Sequence, residues 1–84
     1  MPYILGDSRH RINQSLKQLD IDIYNEGDFA YTVYRLMLMF SGNKTNFTTI
    51  SSVVGVVECV IDEYKRRILH PYEDKKRQDN GDIL

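Results

Sequence analysis

Arg35 and Glu58 are the residues of this chain best placed to do chemistry. Arg35 is the one basic side chain inside the apolar run of residues 29–40, FAYTVYRLMLMF. Glu58 follows Val54 by four residues and precedes Ile61 by three, at the edge of an apolar helix face. If the two segments are antiparallel helices, these mid-helix groups meet. A carboxylate held there could serve as a general acid or base tuned by burial. The same placement suits an ion pair that merely joins two helices. That structural pair is the preferred reading, since paired charges in cores are more often structural than catalytic.

Cys59 is the next candidate. It sits mid-helix among valines, and neither His10 nor His70 lies near it in sequence. Without a base or cation to generate a thiolate, the expectation is an inert buried thiol. One cysteine and two histidines fall short of a zinc cluster. No metal and no cofactor is therefore expected. Two basic clusters, Lys65-Arg66-Arg67 and Lys75-Lys76-Arg77, offer a nucleic-acid alternative. Asp62, Glu63, Glu73 and Asp74 interleave with them, which favours a solvated, paired helix face over a phosphate-binding stripe.

The elements that must carry these groups read as helices. Residues 48–70 form the longest stretch of consistent period. Ile50, Val53, Val54, Val57, Ile61, Tyr64 and Ile68 recur at three- and four-residue steps and define one apolar face. Thr48 or Thr49 is the expected cap, and Pro71 the expected end, because the residue before proline is pushed out of the α region. Helix one is predicted over 7–23, after an extended arm at 1–6. Asp7 or Ser8 is its expected cap, and Ile12, Leu16, Leu19 and Ile23 make a narrow stripe. Helix two is predicted over 25–41, opened by Asn25 with Asp28 as a capping box. The turn SGNKTNF follows. A short fourth helix is predicted over 71–79, stopped by Asn80-Gly81.

The expected fold is therefore one all-α domain of three main helices with a short fourth. At 42% hydrophobic and 27% charged, the composition is too apolar for general disorder. The formal net charge of -1 gives no global pull toward nucleic acid or an anionic membrane. No apolar run is long enough to span a bilayer, and no leader is recognised, so a reducing cytoplasm is the expected location.

Several motifs together resemble a family of small proteins of prokaryotes and their phages, a domain of unknown function. They are Met1-Pro2-Tyr3-Ile4, Tyr31-x-x-x-Arg35-Leu36, Val54-Gly55-Val56-Val57-Glu58-Cys59, Glu63-Tyr64-x-Arg66-Arg67 and Pro71-Tyr72-Glu73-Asp74-Lys75-Lys76, followed by Asn80-Gly81-Asp82. The resemblance implies a compact helical protein, phage-encoded, in the host cytoplasm. It implies no activity.

Helix two is apolar nearly all round, so more than one side of it calls for a cover. A small stripe at Ser52, Gly55 and Cys59 offers close approach to another helix, because an interior glycine costs helix stability unless packing uses it. The expectation is an interaction or regulatory module that forms a homodimer through Met37, Met39 and Phe40, or through that stripe, and binds a host or phage protein. Gly55→Leu is expected to weaken the dimer or the fold by overpacking. A small enzyme using Glu58 with Arg35 is the other alternative.

Overall fold

The computed structural model describes residues 2–43 and 45–84. Met1 of the predicted arm and Lys44 of the predicted turn lie outside them. The protein is all-α. Three helices follow one another, the last continuing into a C-terminal part, and there is no strand among the described residues. The helices are α1 (Gly6–Asp22), α2 (Glu26–Ser41) and α3 (Phe47–Tyr64). A π-helical turn (Lys65–Leu69) leads from α3 directly into α4 (His70–Asn80). No helix is long and apolar enough to cross a membrane.

The chain divides into two compact units within α3. One is Tyr3–Val53; the other is Pro2 with Val54–Leu84. In the first unit, Leu16, Leu19 and Ile23 at α1 and Phe29, Val33 and Leu36 of α2 line one shallow concavity. The sequence between them explains the corner. Asn25 is extended, and its Oδ1 accepts the Asp28 amide at 2.8 Å. Asp28 returns a carboxylate oxygen to the Tyr24 amide at 3.0 Å. This is a reciprocal cap with its second bond one residue earlier than the standard box. Glu26 and Asp28 also place negative charge at the positive end of the α2 dipole.

Two other helix starts differ from the expectation. α1 begins at Gly6 on Leu5, with no side-chain cap from Asp7 or Ser8. Its first turn is held instead by the Arg9 amide on the Leu5 carbonyl, at 3.0 Å, and by the Arg9 guanidinium on the Ile4 carbonyl. α3 is capped by Asn46, whose Oδ1 accepts the Thr49 amide at 2.9 Å. Thr48 and Thr49 thus lie inside the first turn. An asparagine two places upstream outcompetes them because its carbonyl reaches the third amide without strain. α2 ends where expected, at Gly42, whose φ of 61° is the left-handed region that glycine adopts freely.

Pro71 does not end the helix. A proline ring clashes with the carbonyl four residues earlier and leaves that carbonyl without its usual donor. Here the π turn at Lys65–Leu69 stands directly before it, and the His70 amide bonds the Lys65 carbonyl, five residues back. The widened turn takes up the ring without a break in the helix. α4 then runs to Asn80 and stops at Gly81, φ 89°.

Candidate functional site

The main feature of the surface is what it leaves uncovered. Val53, at 8% exposure, is the one buried side chain among the described residues. Along α2, Asp28, Thr32, Val33, Met37 and Ser41 are half-buried and follow a stripe of about one residue per turn. Met37 therefore belongs to the partly covered side. Met39 and Phe40 do not: they keep 68% and 74% of their surface exposed. Phe29, Tyr31, Tyr34, Leu36 and Leu38 are exposed as well. In α3, Thr49, Gly55 and Val57 are half-buried beside Val53.

Residues of α1 and α2 line two shallow apolar concavities, of about 600 Å³ and about 580 Å³. The first is lined mainly by the facing leucines, Ile23, Phe29 and Val33. The second is lined by Ser15, Gln18, Tyr31, Arg35 and Met39 among others. A small-molecule site usually adds a few convergent polar groups to such a floor. Here polar lining groups bond locally, as Gln18 does to Asp22 at 3.4 Å.

Arg35 and Glu58 are both exposed, so the buried setting expected for them is absent. Arg35 donates to the Tyr31 hydroxyl at 2.8 Å, one turn earlier, and its guanidinium lies 5.8 Å from that ring's centre. It belongs to the first unit and Glu58 to the second.

Cys59 is exposed, a correction to the buried thiol expected from its valine neighbours. The reason is its angular position: three residues from Val56 and one from Glu58, it falls on the outer side of the helix. Ser52 is exposed too. A side chain built at Gly55 would meet no atom within 4 Å. The overpacking expected of Gly55→Leu therefore has no neighbour in the chain to act on. Gly55→Ala should instead stabilise the helix by about 1 kcal/mol, the propensity difference alone. Chemical denaturation would measure it, and a loss of stability would mean that something outside the chain sits against this position.

The basic clusters are largely occupied. Glu63, half-buried, receives Arg66 at 2.6 Å and Arg67 at 3.7 Å. Arg77 approaches Asp74 at 3.9 Å, and Lys76 lies 5.6 Å over the Tyr72 ring. These local pairs lower the charge that Lys65 to Arg67 and Lys75 to Arg77 would present to a phosphate backbone. No group of three or more histidine, cysteine or acidic residues among those described could hold a metal ion.

The exposure of the α2 face was not legible in the sequence, because periodicity says which residues share a face and not what covers it. Neither the curated proteins nor the solved structures contain a match to this chain. Residues 1–83, nearly the whole length, match the family described as a domain of unknown function, DUF6899, and the chain belongs to that family.

Proposed function

We propose that this protein is a small interaction and regulatory module that works as a homodimer and binds or modulates a host or phage enzyme. The observation that carries the reading is the apolar surface of α2, where Phe29, Tyr31, Tyr34, Met39 and Phe40 each keep 60% or more of their surface exposed. Monomeric soluble proteins rarely leave so much apolar surface wet, and large exposed apolar surfaces mark sites that bind other polypeptides. Aromatic residues and methionine are also the side chains enriched at such surfaces. The motif resemblance to proteins of prokaryotes and their phages supports a phage-encoded protein acting in the host cytoplasm.

Light scattering across micromolar concentrations tests the self-associating part. A dimer mass that falls toward monomer on dilution is the expected result. A monomer mass at every concentration would overturn the dimer.

A further inference from the structure

The second unit is built from one continuous helical stretch. α3 from Val54, the π turn and α4 follow each other without a second helix of the same unit to lie against. Helices in proteins owe their stability mainly to a packed apolar face rather than to intrinsic propensity. This helix has such a face. Val54, Val57, Ile61, Tyr64 and Ile68 follow one another at steps of three, four, three and four. That is the alternating spacing of the core positions of a heptad repeat, with β-branched residues at Val54, Val57, Ile61 and Ile68. Val54, Ile61, Tyr64 and Ile68 are all more than 40% exposed. The π turn inserts one residue, so beyond it the same face continues through Leu69 and Tyr72 and Pro71 rotates off it. The ion pairs of Glu63 with Arg66 and Arg67 lie outside the row of core positions.

We propose that this seam is covered by the same seam of a second copy, as an antiparallel two-stranded coiled coil. The inference rests on the homodimer reading and names its contact. Charge selects the arrangement. The residues flanking the core on one edge are Glu58 and Lys65. With a two-fold axis between Ile61 and Tyr64, Ile61 packs on the other copy's Tyr64. Glu58 then faces Lys65, twice over by symmetry. Sliding the antiparallel register by one heptad sets Glu58 against Glu58. A parallel pair sets Glu58 against Val53 and Lys65 against Val60, with no charge partner for either. The seam is thus complementary to itself in one arrangement.

The test uses the full chain and follows its dimer dissociation constant by sedimentation. Glu58→Lys and Lys65→Glu should each weaken the dimer about fivefold or more, since both symmetric pairs are lost at once. The double reversal should recover the original affinity. Ile61→Asp should weaken it by at least about a hundredfold, because the charge would be buried. Spin labels at Asn80→Cys in a Cys59→Ser background should lie about 50 Å apart, from the 1.5 Å rise per residue. Several outcomes overturn the proposal. Labels within about 20 Å would mean a parallel pair. No recovery in the double reversal would remove the Glu58–Lys65 contact. A dimer that survives Ile61→Asp but is lost in Phe40→Asp would place the contact on α2, leaving the homodimer reading intact. A monomer throughout would end both.

Discussion

Each tenfold dilution is expected to lower the thermal midpoint of this protein by about 4 °C. If folding is completed by pairing, unfolding releases two chains and the equilibrium depends on concentration. A tenfold change is worth about 1.4 kcal/mol per dimer at room temperature. The unfolding entropy near 60 °C is about 2.1 cal/mol/K per residue, or roughly 350 cal/mol/K for two chains of 84 residues. Their ratio gives the shift. The effect is large here because only Val53 is buried among the described residues. The single chain has little core from which to draw its stability, so pairing must supply much of it. Circular dichroism at 222 nm over two decades of concentration would show the shift. A midpoint that stays fixed would mean that each chain melts alone.

Val53→Asp should cost more than about 4 kcal/mol and leave the chain largely unfolded at room temperature. Val53 is 8% exposed, so an aspartate there must either take up a proton or bury a charge, and either is costly. The matched control is Val56→Asp, three residues on, where the side chain is 36% exposed. That change should stay within about 1 kcal/mol, as surface substitutions do. Urea titration of the two variants beside the parent separates the outcomes. Equal losses at both positions would mean that Val53 is no better covered in solution than its neighbour.

The parts of this fold that the sequence made legible are local. Asn25 and Asp28 bond across three residues, so their spacing alone contains the corner between α1 and α2. Gly42 and Gly81 stop helices because a positive φ is cheap only for glycine. Asn46 is equally local, but two threonines follow it, and any of the three side chains can cap a helix. Pro71 was harder. Whether proline ends a helix depends on the backbone one turn earlier, and nothing in KRRIL spells out a π turn. Gly55 and Cys59 show a further gap. Small residues at helical spacing permit close approach, but permission is not contact, and at Gly55 the space is open. Linking Arg35 with Glu58 in a buried setting assumes that an apolar helix is a buried one. Both are exposed, and Arg35 finds its partner within its own helix, at Tyr31.

The π turn at Lys65–Leu69 also bears on how this chain can change length. An insertion of one residue into an α-helix normally rotates everything beyond it by about 100° and scrambles the faces. A π turn absorbs that extra residue as a bulge while the flanking helices keep their own geometry. The stretch from Lys65 to Leu69 is thus the place where a relative could lack one residue and still be helical throughout, its wide turn tightened to an ordinary one. Alignments that force a gap into the loops on either side of the helices would misplace such a deletion. In this protein the natural position for a single-residue gap is the middle of its longest helix.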